Sequence, residues 1–165
     1  MMVTNIRGHF KDVRGSLVFD PDDPTQSSTD VTIDTRSLWT GEAARDGHLR
    51  SADFLDVERF PEMTFRGDRV TVLSENEYDL GGELTIRGVT RPTSLRVRYL
   101  GKWRTPWVED GVNKGLRTRA GFLATTEINR HDFGITWSAT VEKGGLVVGN
   151  TVTITIDVEA VSDGD

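Results

Sequence analysis

NTVTITIDVEAV, residues 150–161, sets Val152, Ile154, Ile156, Val158 and Ala160 on one side of an extended chain and Thr153, Thr155, Asp157 and Glu159 on the other. A period of two marks a half-buried β-strand, because successive side chains point to opposite faces. The same alternation recurs in SLRVRYLGKW (94–103), where Leu95, Val97, Tyr99 and Trp103 oppose Arg96, Arg98, Leu100 and Lys102. LRTRAGFLATTEI (116–128) sets Leu116, Ala120, Phe122, Ala124 and Ile128 against Arg117 and Arg119. Shorter runs of this kind are VRGSLVF (13–19), DVTIDT (30–35), EMTFRGDRVTVL (62–73) and EYDLGGELTI (77–86). Turn-forming residues separate them: DPDDP (20–24), SENE (74–77), RGVTRP (87–92), TPWVEDGVNKG (105–115) and EKGGLVVGN (142–150).

Only GEAARDGHL (41–49) reads as helix, and it is short. One such helix cannot cover seven or eight strands, so the sheet must pack on itself. A closed antiparallel barrel does so and removes exposed edges; a two-sheet sandwich is the rival. Consecutive hairpins favour the up-and-down barrel. The expected fold is therefore all-β, an antiparallel barrel of about eight strands with one short helix around 41–49, in a single domain spanning 1–165. An eight-stranded barrel is filled by side chains or holds one small ligand. Small residues on the inward side (Gly15, Ala120, Ala124, Ala160) fit either case.

Composition narrows the functional classes. Hydrophobic residues at 36% and charged residues at 28% are ordinary for a globular chain, and no apolar run is long enough for a membrane-spanning helix. Without cysteine there is no disulfide framework and no thiolate chemistry. A net charge of −6 argues against nucleic acid as a partner. MMVTNIRGHF (1–10) lacks the basic and apolar regions of a secretory signal. A cytoplasmic location is the expectation, with export left open should the N-terminus be truncated.

The densest stretch is DGHLRSADFLDVERFP (46–61), which crowds His48, Arg50, four carboxylates and the anchors Phe54, Leu55 and Phe60 before Pro61. A second dense loop, TTEINRHDFGITW (125–137), carries Arg130 and a natural plug in Phe133; Asn129 and Gly134 both tolerate a positive φ. Arg130 needs an anion, and Asp53, Asp56 or Asp132 is positioned in sequence to supply it. In one reading these charges fix a structural corner. In the other, His48, Arg50 and Arg130 ring the barrel mouth and meet an anionic head group. No nucleophile elbow, zinc-protease helix, P-loop or dinucleotide fingerprint occurs. His9, His48 and His131 lack the spacing of a two-histidine metal clamp, and nothing selects a base for Ser138. No catalytic residue and no metal site are assigned.

At these residues a resemblance becomes specific. HLRSADFLDVERFPEMTF (48–65), GELTIRGVTRP (82–92) and INRHDFGI (128–135) resemble, in order, three signatures of the YceI-like family of bacterial proteins, and VTNIRGHFKDVRGSLVFD (3–20) is similar to its early strand pair. The resemblance implies a lipocalin-like barrel with a long apolar cavity that binds a polyisoprenoid or a related amphiphilic lipid, such as an isoprenyl pyrophosphate or an isoprenoid quinone, with no separate cofactor. It tips the balance toward a hollow barrel acting as carrier or store. Candidate lining residues, inward by alternation or anchors of the corner, are Leu17, Phe19, Ile33, Phe54, Met63, Phe65, Leu84, Ile86, Phe122 and Ile154. His48, Arg50 and Arg130 are the head-group candidates. Two other readings stay open: an enzyme at the barrel mouth with His48 as general base, and a ligand-free structural or stress-associated barrel.

Family members usually carry a further strand before the segment that opens this chain. If it is missing, the barrel has an open seam beside its first or last strand, and an unpaired edge invites a second copy, so a homodimer is one expectation. Arg96, Arg98, Lys102, Arg117 and Arg119 would form an outward basic stripe, either balanced by neighbouring acids or available for transient contact with an anionic membrane. Trp39 and Trp107 would suit such an interface.

Overall fold

The structure is a computed structural model that describes residues 5–139 and 148–163. Among these described residues nine strands and one α-helix follow in order: β1 (His9–Phe10), β2 (Val13–Val18), β3 (Ser28–Asp34), β4 (Leu38–Trp39), α1 (Ala43–Arg50), β5 (Glu62–Val72), β6 (Glu77–Ile86), β7 (Val89–Glu109), β8 (Val112–Asn129) and β9 (Thr151–Val161). Seven of the strands form one antiparallel sheet in the order β2-β3-β5-β6-β7-β8-β9, curled into a nearly closed barrel. Among the described residues the barrel has seven strands, close to the eight expected; β1 and β4 are two-residue pieces that pair with each other apart from it (His9 opposite Trp39, Phe10 opposite Leu38). Most of the expected turn at 142–150 lies outside the described residues.

Two hairpins are tighter than the sequence suggested. Arg87–Gly88 (φ 50° and 73°) and Asp110–Gly111 (φ 51° and 77°) are two-residue turns with both φ angles positive. That geometry matches the twist of the flanking strands, so β7 runs unbroken from Val89 to Glu109 and takes in the ends of both expected turns, VTRP and TPWVE. Pro92 is tolerated because β7 pairs with β8 only from Arg96 onward, which leaves no ladder on its other side.

Cross-strand register fixes which residues face inward. From β2 to β9 one rung reads Gly15, Val31, Phe65 and Leu84; another reads Tyr78, Val97, Ala124 and Ile156. A β-bulge between Tyr99 and Gly101 then inserts one residue into β7. Gly101 takes φ 111°, a conformation other residues reach only with strain. Beyond it the parity flips. Trp103, expected inward with Leu95 and Val97, pairs with Arg119 on the outer face, and Lys102 pairs with Ala120 on the inner one.

The two ends of the barrel differ. At one end the interior is solid: Phe54, Met63, Phe65, Leu84, Ile86, Leu95, Ala124, Phe133 and Ile135 form a continuous core, with Leu49, Leu55, Ile33 and Trp137 packed against it. The plug comes from the segment after α1 and from the 130–137 loop. Phe133 is 2% exposed. The other end is hollow.

Candidate functional site: an apolar cavity bounded by two strand edges

The hollow end encloses about 550 Å³, within the roughly 300–1,000 Å³ usual for small-molecule sites. Its wall is built by the inward rungs: Phe65 and Val70 from β5, Tyr78 and Leu80 from β6, Leu95 and Val97 from β7, Phe122 and Ala124 from β8, and Ile156, Val158 and Ala160 from β9. Val13, Gly15, Leu17 and Phe19 line the remaining side. Phe65, Leu95 and Ala124 also belong to the solid core, so they form the floor. No ladder joins β2 to β9 among the described residues, and the cavity runs along this seam. Phe19, Tyr99 and Phe122 pack as an aromatic trio with ring centroids 4.9–5.4 Å apart. Burial in this trio, with a smaller effect from Tyr78, raises the Tyr99 phenol above its ordinary pKa.

The expected lining residues divide between the two ends. Leu17, Phe19, Phe65 and Phe122 line the cavity. Phe54, Met63, Leu84 and Ile86 are buried in the plug, with Ile33 packed on it. Ile154 is half-buried opposite Thr126 and lies one rung outside the cavity lining. Ile156, Val158 and Ala160 of the same alternating face carry the wall instead; alternation identified the face, but not how far up the strand the hollow lies.

The three head-group candidates sit at the plugged end, apart from the cavity lining. Arg130, 4% exposed, meets no carboxylate among the described residues. Its guanidinium donates to the carbonyls of Ile135 (2.9 Å), Trp137 (2.7 Å) and Gly149 (2.9 Å), and to Asn150 Oδ1 (3.3 Å). The expected ion pair with the 46–61 acids is thus replaced by a fan of carbonyls, whose lone pairs match the planar fork of five donors. Of the two φ-tolerant loop residues only Gly134 is left-handed (φ 73°); Asn129 (φ −95°) instead accepts a hydrogen bond from the His131 amide at 3.0 Å. Arg50 donates to the carbonyls of Arg36 (3.1 Å) and Leu38, tying α1 to β4.

His48 Nε2 lies 2.9 Å from Asp53 Oδ2, a histidine–carboxylate pair of the kind a general base needs. The ring stands edge-on to Phe54 (5.0 Å) and Trp137 (4.5 Å), both packed at the plug, so the pair braces the corner away from the cavity.

Residues 46–61 answer as scaffolding. Asp46, 4% exposed, accepts from the Thr40 amide at 3.0 Å and from the Thr40 hydroxyl. The hydroxyl bond, aided by the amide and by Arg50 and Arg45, holds its carboxyl below the usual aspartate range despite burial. Asp56 takes φ 50° and gathers amides around it: its N–H donates to Ser51 (2.9 Å), and Phe60 N–H donates to its carbonyl (2.8 Å). Thr35, 1% exposed, closes the corner by donating its amide to Pro61 O and its hydroxyl to Phe60 O, both at 2.9 Å. Among the described residues no group of histidines and carboxylates has metal-ligand geometry.

The basic stripe is balanced in part. Arg96 reaches Asp79 at 3.4 Å and Glu77 at 3.7 Å, Arg98 reaches Glu77 at 3.6 Å, and Arg119 meets Glu159. Arg117 and Arg119 stack over Trp107. Lys102 is absent from that outer face because of the bulge.

The profile of the YceI-like domain matches residues 1–160. A UPF0312 protein of Pseudomonas putida strain W619 is 38% identical over 156 residues, which is 94% of this chain and 73% of the relative. The crystal structure of a Campylobacter jejuni YceI protein superposes with a TM-score of 0.82 at 28% identity, covering 99% of this chain and 88% of that one. The structure of Burkholderia cenocepacia BcnA shares the fold, with a TM-score of 0.72 at 22% identity over 93% of this chain and 86% of that one.

Proposed function

The chain belongs to the YceI-like domain family, a family of barrel binding proteins, and on that premise we propose that it sequesters one amphiphilic lipid, a polyisoprenoid or isoprenoid quinone, in the hollow end of its barrel. The observation that carries this reading is the cavity of about 550 Å³ walled by inward-facing aliphatic and aromatic side chains. Moving an apolar chain from water into such a wall is favourable by about 25 cal/mol per Å² before ordering costs. An apolar void of this size is itself a loss of packing, so a guest that fills it stabilises the fold by mass action.

Native mass spectrometry of the purified protein, followed by titration of the delipidated protein with farnesol, tests the proposal. A one-to-one complex and a rise in melting temperature with farnesol concentration are expected. A delipidated protein whose melting temperature ignores farnesol and longer prenols would overturn it.

A further inference from the structure

β7 and β8 are longer than the barrel that contains them. The ladder from β6 stops at Arg98 of β7, and that from β9 stops at Arg119 of β8. The ladder between β7 and β8 nevertheless continues to Glu109 and Val112. Residues 100–119 therefore leave the barrel as a two-stranded ribbon whose tip, at about 3.3 Å per residue, stands roughly 20 Å beyond Thr118. The ribbon springs from the hollow end: Ser162, which lines the cavity, exchanges hydrogen bonds with Thr118 at 2.9 and 3.2 Å.

A two-stranded ribbon alone is marginal in water, yet this one holds apolar side chains in solvent. Val108, Val112 and Leu116 are 50–59% exposed. Leu100 and Trp103, also exposed, lie side by side over Gly121, where a Cβ would come within 3.4 Å of Trp103 and 3.5 Å of Leu100. The register puts Arg117 and Arg119 on the face of Trp103, and their guanidiniums lie over the Trp107 ring at 5.3 and 5.6 Å. Residues 100–119 hold five bases and two acids in a chain of net charge −6. Indole rings beneath cations, with branched aliphatics at the tip, suit a lipid interface, where Trp sits at headgroup level and bases meet anionic lipid.

A second copy pairing edge to edge is the other occupant such a ribbon could take. The outer edge of β7 is poorly built for it: irregularities interrupt the strand after Tyr99 and after Pro106, and Pro106 has no amide to donate. The acids of the hollow end lie far from the tip. Asp20, Asp22 and Asp23 follow Phe19, which packs on Phe122. Phe122 stands ten residues of β8, roughly 30 Å, from Val112, about three screening lengths at 0.1 M salt.

From this arrangement we infer that residues 100–119 dock the protein on an anionic lipid bilayer. The ribbon lies at headgroup level with its apolar tip among the lipids and its bases on their phosphates, and the cavity mouth is thereby carried to the membrane. Unpaired edge amides need water or headgroup oxygens, which keeps insertion shallow. The inference concerns where the barrel works and does not depend on what fills it.

Vesicle flotation of the purified protein tests it, with phosphatidylcholine alone and with equimolar phosphatidylcholine and phosphatidylglycerol. Wild type should float with the anionic vesicles, stay behind with the neutral ones, and be released as salt is raised. Lys102→Gln combined with Lys114→Gln should weaken partition roughly 25-fold, at about fivefold per base. Val108→Asp combined with Val112→Asp should abolish it, and a urea midpoint near that of wild type shows that each variant keeps the barrel. Brominated lipid should quench tryptophan emission in wild type but not in Trp103→Phe combined with Trp107→Phe, because Trp39 belongs to the corner and Trp137 to the plug. Wild type that ignores anionic vesicles, binding that neither the lysine nor the valine variant weakens, or quenching that survives in the phenylalanine variant overturns the inference. So does a dimer, seen by light scattering, that the valine variant dissolves, since the ribbon would then cover a second copy.

Discussion

Replacing Ala124 with isoleucine distinguishes a hollow barrel from a filled one by the sign of a stability change. Ala124 is 5% exposed and stands between Val97 and Ile156 across the ladder, at the floor of the cavity. Isoleucine adds three carbons pointing inward. If they enter empty space, each contributes about 0.8 kcal/mol, and the loss of side-chain freedom takes back about 0.5–1 kcal/mol. The ligand-free variant should then be more stable by about 1.5 kcal/mol, a rise of roughly 3–6 °C in melting temperature for a chain of this size. The same three carbons displace ligand, and at 1.4 kcal/mol per decade farnesol affinity should fall by roughly 10- to 50-fold. A packed interior would answer oppositely, with overpacking costing about 1–3 kcal/mol. Urea unfolding and farnesol titration of delipidated wild type and variant supply both numbers. A destabilised variant would refute the claim of an empty, apolar interior.

Three further outcomes follow from the same structure. Arg130→Met should cost about 3 kcal/mol or more, because it strands the buried carbonyls of Ile135, Trp137 and Gly149; Arg130→Lys should recover little, since an ammonium cannot span the fan, and urea denaturation measures both. Asp46 has a folded pKa below its unfolded value, so its contribution is present above the ordinary aspartate value of about 3.9 and disappears as pH falls through the folded one. Asp46→Asn should accordingly flatten the loss of unfolding midpoint measured from about pH 5 down to pH 2. Gly101→Val should lower stability by about 1–3 kcal/mol in urea unfolding, because φ 111° strains any branched side chain.

Most of the barrel was legible because its strands are half-buried, and half-burial writes itself as alternation. β6 matches its predicted bounds of 77–86, and the inward set of β9 follows from NTVTITIDVEAV alone. What escaped was local. A bulge leaves almost no trace in hydropathy, so Trp103 and Lys102 were read on the wrong faces; Gly101 in the interior of a strand was the available signal. Arg130 misled for a different reason. A buried guanidinium calls for acceptors, and charge-pairing intuition nominates carboxylates, whereas a loop folding back on itself supplied carbonyls that the residue types cannot announce. The division into a solid and a hollow end was also hidden, because Met63 and Phe122 look alike in a pattern of alternating apolar positions.

That division explains why so charged a corner accompanies so apolar a cavity. A barrel with no ladder between β2 and β9 among the described residues, hollow at one end, forgoes both pairing there and part of its packing. The deficit must be met where there is no ligand to accommodate. The 46–61 corner and the Arg130 loop do this at the opposite end, using hydrogen bonds rather than added apolar volume: Asp46 on Thr40, Thr35 on Phe60 and Pro61, Arg50 on β4, Arg130 on three carbonyls. Such bonds are directional, so they hold the strand ends without needing an interior filled throughout. Stability and binding are thereby assigned to different ends of one sheet. Changes at the plug should unfold the protein and leave the ligand preference of the surviving fraction intact. Changes on the cavity rungs of Phe122 and Ala124 should alter what is bound and leave most of the fold's stability in place.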